Sequence, residues 1–530
     1  MKSHSVGLLA LLAIAPACAA RYSEPPLVLQ ALSDRPEDAL EPDDAEPATE
    51  DPMAKPPAPG VTPNAPFPPI DRGGDNGLDN GLELRLLPEK ALPVVELRLV
   101  VRSGSATDAT LPGLASITGD LLKDGGTGAW SSRELVERIE ALGAQLAVLT
   151  DQDSTRLSLS VTSDHFDEAI DLLGRVARAP RFLPLEFDKL KRRETERVKS
   201  LAVQSGTWAA SMVLARELYE LPAARHPYSH WDALPGEIAR IGLADCRRWH
   251  ALHFTPKNSF LVIAGDVAPD AAAAAAKRAF GAWKGEAPTP PTFADPMPPS
   301  GLELYLIDRP KSPQADVFVA TLGPERRSDS WPGLRAATQI LGGGVAGRLF
   351  LDVREKRSLA YGTGARVDSP AHGPAPIVLY AGTATPKAGL ALAGLLEHFQ
   401  KIGESAPSAE ETSIATRYLS DIFLLRMETT GALADMAAEL GVLGLPDGWF
   451  DEYRARVTDL APPDVQEVAA ANFRAGNALV VVAGDAERLA RPLSHFAEVH
   501  VLAAEKGFSI AKSVPHDPAA PIELERKAAE

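Results

Sequence analysis

Cysteine is nearly absent: the 530 residues hold two, Cys18 and Cys246, too few for a disulfide framework. Cys246, between Asp245 and Arg247 on a helical pattern, is expected to be structural rather than nucleophilic. Positive charge is also short. A formal net charge of −17 excludes the basic face that a nucleic-acid partner requires. Long apolar runs are missing, so no segment is expected to span a bilayer. No strand–Gly-x-Gly-x-x-Gly–helix unit occurs, and Gly342-Gly343-Gly344 lacks the lysine and Ser/Thr of a phosphate cradle.

What is present begins with an export layout. Residues 1–20 combine Lys2, the apolar run Val6–Ile14 and the small residues Ala15-Pro16-Ala17-Cys18-Ala19-Ala20, the arrangement of a secretory signal peptide. Two fates are open, cleavage after Ala17 or Ala20 and lipidation at Cys18, and the lipid anchor is preferred. Either places the protein outside the cytoplasm, in the periplasm or attached to the cell envelope. Residues 21–77 are dominated by Pro, Ala, Asp and Glu and cannot bury enough apolar surface to offset chain entropy. They read as a disordered, semi-rigid spacer.

Folded sequence is expected from about residue 78. Leu82–Leu87, Val94–Val101, Arg156–Val161 and Phe260–Asp266 read as strands. Helical patterns cover Pro112–Lys123, Ser132–Leu142 with Ser132 as N-cap, Asp164–Ala179, Pro184–Gln204 and Gly242–His253. The pattern then repeats. Gly81-Leu82-Glu83-Leu84 recurs as Gly301-Leu302-Glu303-Leu304, and Pro112-Gly113-Leu114 as Pro332-Gly333-Leu334, each 220 residues on. Asn258 and Ala264-Gly265-Asp266 recur as Asn477 and Ala483-Gly484-Asp485, and Asp245 and Phe254 as Asp464 and Phe473, all at an offset of 219. Matches in one register mean a duplicated domain. The halves are 78–286 and 301–505, joined by a proline-rich linker at 287–300 and followed by a charged, alanine-rich tail at 506–530. The element order predicts an α+β fold with antiparallel or mixed sheets and helices on one face.

Four stretches carry a family resemblance: Leu99–Ser105 leading into Pro112-Gly113-Leu114-Ala115; His226-Pro227-Tyr228 with Gly236-Glu237-Ile238; Phe254–Asn258 running into Ala264-Gly265-Asp266; and Gly347-Arg348-Leu349-Phe350 with Val353–Tyr361. With these, residues 80–500 resemble the insulinase-like (pitrilysin and mitochondrial processing peptidase) metallopeptidase family. The resemblance implies two duplicated α/β sandwich domains of the processing-peptidase type, closing as a clamshell. It also implies a helix after Gly113-Leu114-Ala115 bearing His-x-x-Glu-His, with a further glutamate about 75 residues downstream. The two histidines share one helix face and bind zinc, the glutamate between them takes a proton from the metal-bound water, and the distant glutamate completes the set.

Here those positions hold Ser116, Gly119 and Asp120, and the downstream position falls at Glu196 or Arg197. A hydroxyl, no base and one carboxylate do not replace a site whose full ligand shell is worth roughly 10–16 kcal/mol. No zinc is therefore expected in this chain. His226 and His230, and likewise His250 and His253, are read as surface or packing residues. Arg354 and Tyr361, by contrast, match the arginine and tyrosine that the resemblance assigns to the scissile carbonyl, as donors to developing negative charge. The implied protein is inactive alone: a non-catalytic subunit that binds peptide or unfolded polypeptide and donates Arg354 and Tyr361 to the site of a zinc-bearing homologous partner. The glycines of 342–347 would let a loop approach that peptide. The alternative is a peptide-binding or scaffold protein of the envelope with no enzyme partner.

Overall fold

The computed structural model describes residues 65–73, 77–108, 110–221, 225–297 and 299–523. The signal segment, Cys18 and most of the spacer lie outside them, as does the end of the tail. Among the described residues no helix is long and apolar enough to cross a membrane.

The first half contains strands Glu83–Pro88 (β1), Val94–Val101 (β2), Gln145–Thr150 (β3), Thr155–Thr162 (β4) and Ser259–Gly265 (β5). Its helices are Leu114–Asp124 (α1), Ser132–Ala141 (α2), Phe166–Arg178 (α3), Pro184–Gln204 (α4), Gly206–Leu218 (α5), Pro235–Arg240 (α6), Leu243–His253 (α7) and Pro269–Phe280 (α8). The second half contributes strands Glu303–Asp308 (β6), Gln314–Gly323 (β7), Gly362–Val367 (β8), Ala375–Ala384 (β9), Leu479–Gly484 (β10), Val499–Ala503 (β11) and Ser509–Val514 (β12). Its helices are Trp331–Gly342 (α9), Ala388–Glu404 (α10), Ala409–Arg426 (α11), Thr430–Leu443 (α12), Trp449–Thr458 (α13), Pro462–Asn472 (α14) and Ala486–Leu493 (α15), with a π-helical turn at Leu349–Lys356.

The first sheet runs β1-β5-β2-β4-β3 and the second β12-β11-β6-β10-β7-β9-β8. Remove β11 and β12, and the second order is the first with each strand replaced by its repeat. In both sheets one pair of the shared order is parallel, β1 with β5 and β6 with β10, and the rest of that order is antiparallel.

The halves are interlocked through exchanged helices. Helix α5 of the first half packs on β7 and β10 of the second, while α12 of the second packs on β1, β2 and β5 of the first. Side-chain alternation carries this exchange. On β5, Leu261 and Ile263 enter one core while Phe260, Val262 and Ala264 enter the other; on β10, Leu479, Val481 and Ala483 join the first core and Val480 and Val482 the second. Both central strands are thus buried on both faces, which explains their unbroken apolar runs. Polar groups pin the contact. Buried Arg98 pairs with Glu96 at 2.7 Å and with Asp435 of α12 at 2.9 Å, and Arg85 Nη1 donates to Ala437 O at 3.3 Å. Gly441 lets α12 lie directly on the Phe260 ring, because a Cβ there would collide with it.

Three expectations change. Residues 65–73, assigned by composition to the spacer, are folded: Phe67 is buried beside Phe450, with ring centroids 5.2 Å apart, and Asp71 bridges to Leu86. One buried aromatic ring and backbone pairing with β1 outweigh the proline content. Residues 509–514, assigned to the tail, form β12 because β11 offers an unpaired edge. The N-cap of α2 is Ser131, not Ser132: its hydroxyl accepts from Glu134 N while the Glu134 carboxylate accepts from Ser131 N, a complete capping box.

Candidate functional site

Helix α1 starts where the chain can turn only with glycine. Gly113 has φ 89°, and the buried Asp108 carboxylate caps the helix by accepting from Gly113 N and Ala115 N, both at 2.7 Å. Burial nonetheless pushes Asp108 up to about 7. Leu114, Ile117, Leu121 and Leu122 face the core, and the helix ends at Gly125 and Gly126, the latter with φ 75°.

The three positions of interest lie on this helix in three different environments. Ser116 is exposed. Gly119 is buried against the β3–β4 hairpin, where an added Cβ would stand 2.6 Å from Thr150 Oγ1 and 3.4 Å from Val148 Cγ1. The space a glutamate would need is therefore filled by the sheet. Asp120 is partly buried, and burial, then the neighbouring Glu194 carboxylate, raises it to about 6.

On α4, the acid coupled to Asp120 is Glu194 rather than Glu196 or Arg197. Glu196 is exposed and pairs with Lys199 at 2.7 Å. Arg197 bridges Glu194 at 2.6 Å and Asp232 at 2.9 Å, so Glu194 already has a cation. A hydroxyl in solvent, one carboxylate with no imidazole beside it and one carboxylate committed to arginine are not a zinc donor set. Among the described residues no three His, Cys, Asp or Glu side chains are grouped to hold a metal ion.

The four histidines are all buried, so the surface half of that expectation fails. His226 stacks on Tyr219, and its Nδ1 accepts from Tyr228 N at 3.0 Å. His250 Nε2 lies 2.8 Å from Ala177 O, and His253 Nδ1 2.8 Å from Ser103 Oγ. Burial lowers His230, His250 and His253 to about 4. These are neutral packing groups.

Arg354 and Tyr361 lie in the second half, and neither is buried. Arg354 stands on the Leu349–Lys356 turn with its guanidinium over the Phe350 ring, 4.6 Å from the centroid, and 3.5 Å from Glu355. The turn is fixed from its other side, where Asp352 holds Arg357 at 2.6 Å and His398 at 2.8 Å. Ser358, at φ 51°, then redirects the chain into β8. Tyr361 is half exposed and immediately precedes that strand, its N–H donating to Gly382 O at 3.0 Å.

Sequence reasoning missed the polar group beside it. Tyr380 donates to Asp316 at 2.9 Å, Arg309 lies 3.7 Å from Asp316, and Arg309 also donates to Gln204 O at the end of α4, at 3.0 Å. Burial, then the Asp316 charge, raises the Tyr361 phenol. Pairing of β7 with β9, the end of β6 beside β10, and the Tyr361–Gly382 bond bring these residues together, so no local motif announces them. No hydrogen bond or ion pair among the described residues joins Arg354 or Tyr361 to Ser116, Gly119 or Asp120.

Gly342 has a packing role in this structure. It lets the end of α9 rest on β8, where a Cβ would stand 2.5 Å from Ala365 N. In both halves the first helix crosses the outermost lateral strand, β3 or β8, whose far edge has no strand partner among the described residues.

Comparison with known proteins agrees with this architecture. The profile described as insulinase (peptidase family M16) matches residues 86–218, and the one described as peptidase M16 inactive domain matches 240–419. The chain belongs to the insulinase-like M16 family. An uncharacterized zinc protease of Streptomyces coelicolor is 28% identical over 232 residues, 42% of this chain and 49% of that protein. One of Mycobacterium leprae is 23% identical over 262 residues, covering 49% of this chain and 58% of its own length. The chain thus spans about half the length of the curated relatives it matches. A peptidase M16 inactive domain from Pseudomonas fluorescens superposes with a TM-score of 0.72 at 23% identity, covering 79% of this chain and 98% of that one. A protease from Helicobacter pylori gives 0.69 at 19% identity, covering 78% and 99%. These likenesses establish the fold: an M16-family, peptidase-like chain with a degenerate metal helix.

Proposed function

We propose that this chain is the non-catalytic subunit of a two-chain zinc peptidase: it binds peptide and lends Arg354 and Tyr361 to a partner's active site. The observation that carries the reading is an asymmetry between the halves. In the first, the metal positions are replaced and the place of the general base is closed by Thr150 and Val148. In the second, an arginine and a tyrosine stand exposed on a braced turn and strand.

The guanidinium and the phenol are hydrogen-bond donors that stabilise a carbonyl gaining negative charge. The raised phenol stays protonated, hence a donor, at neutral pH. Extended polypeptide would add to an open lateral edge, β3 or β8, through main-chain hydrogen bonds. The partner is a homologous, zinc-bearing subunit, and zinc resides there rather than here. Export and attachment to the envelope through Cys18 belong to the same reading.

The test is reconstitution. Co-purified with its zinc-bearing homologue, the wild-type chain should support peptide cleavage. The variant Arg354→Ala/Tyr361→Phe should assemble equally but lower kcat by at least about 10²–10³, the cost of losing a single oxyanion donor. Full activity of that assembled variant removes the role assigned to the pair. Envelope scaffolding without an enzyme partner is the reading that would then remain.

A further inference from the structure

A cavity of about 390 Å³ opens between residues 219–221 and 225–237 of the first half and Gly507–Phe508 at the end of the second. Small-ligand sites occupy roughly 300–1,000 Å³. Its lining is sorted by chemistry. Arg225, Glu220 and Glu237 provide both signs of charge, His230 a neutral ring, and Met212 and Phe508 apolar surface.

The charged groups are not all spent on one another. Among the described residues Arg225 has Glu237 as its nearest acid at 3.7 Å, beyond hydrogen-bond length, which leaves its fork of donors capacity for a ligand. Glu237 uses one carboxylate oxygen to cap Leu234 N at 2.9 Å. Asp232, also on the wall, is by contrast committed to Arg197 and to Trp208 Nε1 at 3.1 Å. His230 is 5% exposed, and its Nε2 lies 3.0 Å from Ser105 O. That nitrogen therefore carries the proton, and Nδ1, which has no hydrogen-bond partner, is an acceptor. Phe508 is held in a left-handed conformation, φ 60°, with its carbonyl accepting from Arg216 at 3.1 Å. Non-glycine residues in that region persist where the surroundings over-determine them, often at ligand clamps.

We infer that this cavity binds a small zwitterion, a free α-amino acid with an apolar side chain: the carboxylate on Arg225, the ammonium toward Glu237 and Glu220, and the side chain against Met212 and Phe508. The inference stands apart from the partner-subunit reading, since it uses none of the residues assigned to catalysis.

Isothermal titration calorimetry of the full chain tests it with three probes: L-leucine, N-acetyl-L-leucine and L-leucinamide. L-Leucine should bind saturably, and each blocked analogue at least tenfold more weakly, about 1.4 kcal/mol. Arg225→Gln should weaken leucine by the same factor or more, with Arg225→Lys intermediate. No saturable heat with leucine up to about 10 mM, far above the Kd of a built site, overturns the inference. So does either blocked analogue binding as tightly as leucine. The analogue series on the unmodified protein decides the matter even if a variant misfolds.

Discussion

Gly119 is the residue at which loss of chemistry and gain of structure meet. A helix-interior glycine ordinarily costs about 1 kcal/mol relative to alanine, yet here the missing side chain lets α1 settle on β3. Gly119→Ala should therefore fail to stabilise the protein in the wild-type background, and should stabilise it by about 1 kcal/mol when Thr150 is also glycine. Chemical denaturation of the four proteins of this double-mutant cycle checks the coupling. Strict additivity would mean that the helix does not lean on Thr150.

Asp120 gives a second residue-scale outcome. Its folded pKa of about 6 lies above the ordinary value of an unfolded aspartate, about 3.9. The folded state therefore holds the proton more tightly, and this group's favourable contribution is complete below pH 4 and lost as pH rises through 6. Asp120→Asn should raise stability by about 1–3 kcal/mol at pH 8, with no gain at pH 3.5. A gain that is independent of pH would contradict the assignment.

At the scale of elements, the exchanged helices decide whether the halves can exist apart. Helix α5 buries Ala209, Ala210 and Val213 against strands of the other half, so residues 78–286 expressed alone should lack a cooperative unfolding transition. A two-state melt of that fragment would show that the exchange is dispensable. Gly441→Val, which pushes α12 off Phe260, should cost about 1–3 kcal/mol in one shared transition, monitored by near-ultraviolet circular dichroism and by tryptophan fluorescence.

The same elements explain what was legible beforehand. Strands β1, β2, β4 and β5 announce themselves because their apolar residues follow a period of two or an unbroken run. Strand β3 does not: it is an edge strand whose only fully buried side chain is Leu146. Helix α5 lacks a polar stripe because it packs both on α4 of its own half and on β7 and β10 of the other, contacts no local pattern reveals. Of the candidate site, the three replaced positions and the Arg354–Tyr361 pair could be located from motifs. Glu194 and the Asp316–Tyr380–Arg309 group could not, since they depend on helix rotation and strand register.

For the molecule as a whole, the duplicated halves have diverged in opposite senses. Each keeps a first helix crossing a lateral strand, but in one that helix packs through Gly119 on β3, while the other presents Arg354 and Tyr361 to solvent. The segment around Phe67 adds a third, non-repeated contact. It ties α13 of the second half, through Arg454 donating to Ala65 O at 2.7 Å, to β1 of the first.

The central claim is that metal and catalysis belong to a partner and not to this chain. The most direct measurement is zinc content by elemental mass spectrometry on the isolated protein and on its complex with the zinc-bearing homologue, each assayed for peptide cleavage. The isolated chain should hold no stoichiometric zinc and cleave nothing, and the complex should hold one zinc per heterodimer with chelator-sensitive activity. One tightly held zinc per isolated chain, accompanied by chelator-sensitive proteolysis, would contradict it.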